Sequence, residues 1–205
     1  MLAPEFLAVI VITCLAVISP GPDFVVTSRN TLIAGRTTGL ATAFGIGLGL
    51  SVHVAAAVIG IGLLLVQSAT AFALAKVAGG LYLIWLGWRT FRHASNTLPE
   101  GGAVAMSPIQ GLLWGFVTNA TNPKTAIFVV SLFLTVISVD TSVALQLGYG
   151  LFIAAAHMVW FGAVALLLST DAIRQKMLRL KRRLEQAFGG LLILFGGSLM
   201  ASSAR

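Results

Sequence analysis

Charge is what this 205-residue chain most lacks: Asp, Glu, Lys and Arg together make up 9% of it, against about 25% in an ordinary soluble domain. A soluble fold of this length could not cover its outside with so little, and a mean hydropathy of +0.97 suits a surface that meets lipid. Cysteine is nearly absent too. Cys14 alone allows neither an internal disulfide framework nor a thiolate metal cluster, and its apolar run marks it as a packing residue. The apolar segments hold no Ser-His-Asp set, no paired carboxylates and no His/Cys cluster, which argues against an enzyme and against a bound metal or other cofactor. Gly45-Ile46-Gly47-Leu48-Gly49 lacks the preceding strand, the third glycine and the later acid of a dinucleotide loop.

What remains is apolar length with basic punctuation. Thirteen Lys and Arg against six acidic residues give a net charge of +7, but the basic residues lie between apolar blocks without interleaved aromatics. They therefore read as topology determinants and not as a nucleic-acid surface. No positive region precedes the first apolar stretch, and Ser19-Pro20-Gly21-Pro22 is not a cleavage site, so that stretch reads as an uncleaved span.

A spanning helix needs about 20 mostly apolar residues. Six segments qualify, over 5–28, 39–66, 69–91, 109–138, 143–169 and 186–202. The connections after the second and fourth, at Gln67-Ser68 and Asp140-Thr141, carry no Lys or Arg. Those after the first, third and fifth carry Arg29 with Arg36, Arg89 with Arg92, and the run Arg174 to Arg183. The positive-inside rule makes this second set cytoplasmic, with both termini on the other side. The segment Asp171–Glu185 also spaces Ile173, Met177, Leu180 and Leu184 as an interfacial amphipathic helix does. A linker over 94–108 separates two halves, 1–93 and 109–205, of three spans each.

The halves resemble each other. Gly79-Gly80-Leu81 in the third span matches Gly189-Gly190-Leu191 in the sixth. Pro22-Asp23 in the first matches Pro123-Lys124 in the fourth, and His53 in the second matches His157 in the fifth, each after a glycine-rich approach. Three spans per half force the second half into the membrane the other way up. The expected fold is thus an all-α polytopic membrane protein, an inverted repeat whose first and fourth helices are broken at prolines.

Pro20, Gly21 and Pro22 fall within the first span and Asn122-Pro123 within the fourth. Proline removes a backbone donor there, and the freed groups persist in hydrocarbon only where protein or a watery cavity receives them. Asp23 and Lys124 follow the two breaks, with opposite sign. An ionisable group so deep costs about 2.5 kcal/mol or more on insertion scales and is a functional candidate. The pair can neutralise each other when empty or take the ammonium and carboxylate of a zwitterion. The plainer alternatives are that Asp23 caps the half-helix behind it and that Lys124 snorkels. Thr118, Asn119 and Asn122 add donors and acceptors beside Lys124. His53 and His157, about 20 Å from a span end, either relay protons with Asp23 or are held by neighbouring helices.

These residues resemble the lysine-exporter (LysE) superfamily, above all its threonine and homoserine efflux (RhtB-type) branch. The likeness is carried by Ser19-Pro20-Gly21-Pro22, Gly35-Arg36, Gly39, Gly45 to Gly49, Gly111, the Asn-x-x-Asn-Pro-Lys of Asn119 to Lys124, and the glycine-rich last span. It implies a multi-pass protein of the bacterial inner membrane that exports amino acids or close derivatives, driven by protons and without a bound cofactor. The motif positions are Pro20, Gly21, Pro22, Asn119, Asn122, Pro123 and Lys124; Asp23 rests on the charge argument. A passive channel, a non-transporting membrane protein, or an exporter of another solute or metal ion are the alternatives. The implied partners are an amino acid, protons and lipid, no nucleic acid, with a homodimer left open.

Overall fold

A computed structural model describes residues 4–19, 21–67, 69–92, 106–137 and 141–168, with separate positions between 183 and 201. Pro20, most of the expected linker and nearly all of the basic segment 171–185 lie outside the described residues. Every described element is helical: α1 Pro4–Ile18, α2 Pro22–Gln67, α3 Ala69–Arg92, α4 Pro108–Ala120, α5 Pro123–Val136 and α6 Val143–Leu167. The described positions from 183 to 201 are helical as well. With 25 residues, α6 is long enough to cross a bilayer core at 1.5 Å per residue.

α2 is not one rod. Gly35 has φ 84° and ψ 175° and divides it into arms 22–34 and 36–67. In a straight helix the α-carbons of residues 30 and 42 would stand about 18 Å apart, yet Asn30 Nδ2 donates to Thr42 Oγ1 at 3.0 Å. The arms therefore fold back on each other around one residue. The sequence places a connection over 29–38; instead the helix continues to 34, and a single glycine makes the reversal. A side chain is strained at that φ/ψ, at about 1–3 kcal/mol. Gly35→Ala is expected to lower the thermal midpoint in detergent, although nothing lies within 4 Å of the Cβ position to clash with it.

Glycine also sets how closely the helices approach. The second arm of α2 runs parallel to α4, and added Cβ atoms would strike backbone on both sides: Gly45 against the Leu112 carbonyl, Gly49 against that of Phe116, Gly115 against that of Thr42. The same arm crosses α6 through Gly47 on Met158 and Gly150 on Val54. α3 meets the last helical positions glycine to glycine, Gly80 on the Gly196 carbonyl and Gly189 on that of Gly87. The rising and falling residue numbers in the last two contacts make both pairs antiparallel.

The interior is apolar around Leu132, Phe133, Leu50 and Ile153, with a second cluster around Ile46, Phe161 and Val164. The exterior is apolar too: Leu151 and Val159 are each 73% exposed, which suits lipid and would be a liability in water. Cys14 is exposed, where the sequence marks it as a packing residue. At the end of α3, Arg89 lies over Trp85 at 5.4 Å and Arg92 over Trp88 at 5.7 Å, a combination typical of a membrane interface.

Candidate functional site

Four helix ends meet in the interior. α1 stops at Ile18 and α2 begins at Pro22, while α4 stops at Ala120 and α5 begins at Pro123. Pro22 and Pro123 open their helices, where proline's missing N–H would have had no intrahelical partner anyway. The two positive and two negative helix ends then face one another, and polar side chains satisfy them.

Asp23 sits in the first turn of α2, 6% exposed, where the helix dipole favours a negative charge. Its Oδ2 accepts from Asn119 Nδ2 at 2.9 Å, Asn122 Nδ2 at 3.2 Å and Thr125 Oγ1 at 3.5 Å. Its Oδ1 is buried without a hydrogen-bond partner. Asn122 is a two-sided residue: its Oδ1 caps α5 by accepting from Lys124 N at 3.0 Å while its amide holds Asp23. Asn119, fully buried, also donates to Thr125 Oγ1 at 3.4 Å, and its carbonyl is met by His53 Nε2 at 2.8 Å.

Lys124 is the second residue of α5, a position where the dipole disfavours a cation. Its ammonium reaches across to the end of α1, donating to the Ser19 carbonyl at 3.1 Å and to Ser19 Oγ at 2.9 Å. That carbonyl lies just past a helix C-terminus, where cations are favoured. A Cβ on Gly21 would stand 3.3 Å from Lys124 Nζ, so the ammonium would have to give by a few tenths of an ångström.

Both charged groups border one small cavity, lined by Ser19, Gly21, Asp23, Asn122, Lys124, Thr125, Phe128, His157 and Phe161 with Ala16 and Val17. Its volume of about 20 Å³ holds roughly one water and no amino acid. His157 reaches this wall with its Nδ1 2.8 Å from the Ile153 carbonyl one turn back. Of the residues singled out in the sequence, Asp23, Lys124, Asn119, Asn122, Gly21, His53 and His157 thus converge. Thr118 does not: it neither lines the cavity nor touches Asp23, being about 100° around α4 from Asn119. Thr125 and Ser19 take parts that sequence reasoning did not assign. A hydroxyl one turn from a capping Asn is the weak signal that points to Thr125.

The chain is similar to known proteins over most of its length. The family model for the LysE type translocator matches residues 14–203. The threonine efflux protein of Salmonella typhimurium is 30% identical over 204 residues, covering 96% of this chain and 98% of that protein. The leucine efflux protein of an Enterobacter species is 29% identical, covering 88% and 86%. The homoserine/homoserine lactone efflux protein of Salmonella typhimurium is 29% identical, covering 91% and 90%. No solved structure gives a significant match.

Proposed function

The chain belongs to the LysE type translocator family, and from that premise we propose that it exports neutral amino acids of the threonine, homoserine and leucine kind in exchange for protons. Its place would be the bacterial inner membrane, with both termini outside and the Arg29–Arg36 reversal in the cytoplasm. The two halves would be an inverted repeat with the transport site where the helix ends meet. Reciprocal contacts support the repeat. Asp23 touches Asn122 while Lys124 approaches Gly21, and matching Pro22 to Pro123 exchanges those two contacts. An exchange of this kind is what a pseudo-two-fold axis requires.

The observation that carries the reading is the divided carboxylate of Asp23. One oxygen is held by three donors and the other has none. A buried carboxylate oxygen without a partner is costly, and an ammonium group or a proton relieves it. In this scheme the two occupy Asp23 in turn, which is the exclusivity that antiport demands. Lys124, bordering the same cavity, would take the substrate carboxylate, with the first amides of α5 beside it. A cavity of about 20 Å³ is too small for the substrate, so the helix ends must part before loading.

The test is transport against a gradient. Purified protein in liposomes, given an imposed pH gradient, is expected to accumulate at least one of radiolabelled threonine, homoserine or leucine, and to stop when the gradient is collapsed. Flux that only follows the amino-acid gradient would make it a passive pore and overturn the proposal.

A further inference from the structure

A second group of buried polar residues lies apart from the cavity, toward the Gly35 reversal. Thr27, Ser28, Asn30, Thr31, Thr38 and Thr42 are at most 4% exposed. Asp23, Thr27 and Asn30 are spaced by four and three residues, so they share one face of the first α2 arm within about 60°. Asn30 lies about 10 Å along that arm from Asp23, at 1.5 Å per residue. Apolar packing does not explain polar residues in this pattern, because each must be satisfied or costs free energy. Three of their atoms have no partner: Thr27 Oγ1, Ser28 Oγ and Asn30 Oδ1. Thr31 Oγ1 donates to the Thr27 carbonyl at 2.7 Å and Thr42 Oγ1 to that of Thr38 at 2.8 Å. Between the arms, Asn30 Nδ2 donates to Thr42 Oγ1.

The repeat supplies a comparison. The register that matches Pro22 to Pro123 carries Asn30 onto Ser131, and the register that matches His53 to His157 carries Thr42 onto Gln146. These two are also buried, but Ser131 Oγ and Gln146 Oε1 have no partner. The Asn30–Thr42 side is therefore latched and its counterpart is not.

We infer that the Thr27–Asn30 face of α2 is a polar access route from the Gly35 end of the molecule to Asp23, closed in this structure by the Asn30–Thr42 hydrogen bond. Its free atoms are a carbonyl oxygen, which accepts, and two hydroxyls, which accept or donate, so it can pass a polar group such as an ammonium. Neutral acceptors hold such a group more weakly than Asp23 does, as a transit position requires. The inference rests on the transport reading above, but its test does not use transport.

In a Cys14→Ser background, Thr27→Cys and, as a second position, Ser28→Cys are each reacted in sealed vesicles with a membrane-impermeant maleimide. Arg36→Cys, beside the reversal, reports which face is which. The expected result is labelling at position 27 or 28 only from the face that labels position 36. Adding Thr42→Val should speed it about fivefold, the equivalent of one neutral hydrogen bond. Failure of both positions to react from that face while Arg36→Cys reacts would overturn the route. So would a rate indifferent to Thr42→Val. If labelling succeeds and the liposomes carry no amino acid, the substrate assignment has failed and the route has not.

Discussion

Asp23→Asn is expected to stop pH-driven amino-acid accumulation while leaving the protein folded. The asparagine keeps the shape of the side chain, and its carbonyl oxygen can still accept from Asn119 and Asn122, which hold Asp23 at 2.9 and 3.2 Å. What it loses is the charge and the proton site. In the loaded site the substrate ammonium would form a buried ion pair with Asp23, and removing one partner of such a pair costs about 3–5 kcal/mol, so transport should fall on the order of a hundredfold or more. The measurement is initial uptake in liposomes, beside a melting curve to establish folding. Wild-type rates would sink the site. Counterflow, in which labelled and unlabelled amino acid exchange without a pH gradient, separates the two duties of Asp23. Lost accumulation with preserved counterflow would mean that Asp23 carries only the proton.

The second large effect concerns the fold. Gly115→Val would drive a side chain into the Thr42 carbonyl, and Gly45→Val into that of Leu112. In both cases the obstacle is backbone, which cannot rotate aside as a side-chain tip can. Each substitution is expected to cost about 3 kcal/mol or more and to lower the thermal midpoint in detergent by roughly 5–10 °C. Gly148→Val is the control, since nothing lies within 4 Å of its Cβ position. Equal midpoints for the three variants would show that the close approach of α2 and α4 is not needed for stability.

The two predictions draw on features that were unequally legible in the sequence. Membrane character follows from composition, because scarcity of charge is a property of the whole chain and needs no geometry. Asp23, Asn119 and Asn122 were readable because proline and the cost of buried charge mark them locally. The shape of the turn after Arg29 was not. Basic residues and a change of hydropathy suggest a loop, whereas whether a chain reverses in ten residues or in one depends on a single backbone angle pair at Gly35. The division of work around Asp23 was equally hidden. Sequence places Lys124 opposite it as a charge partner, but the hydrogen bonds to the carboxylate come from two amides and Thr125, and the ammonium reaches the end of α1. Which donor reaches an acceptor is decided by where helix ends lie in space. Thr118 and Thr125 show the same limit: one neighbours Asn119 in sequence and misses the site, the other lies six residues away and reaches it.

The Gly35 reversal bears on how the protein is made. A loop of ordinary length lets one transmembrane helix settle in the bilayer before the next is synthesised. Here the two arms of α2 share one residue of slack and are joined by Asn30 and Thr42, so neither can take its final position while the other is still emerging. They should partition into the membrane as a preformed hairpin, with Arg29 and Arg36 held back at its tip. An insertion at residue 35, the usual place for a reporter in a topology map, would then act on biogenesis itself.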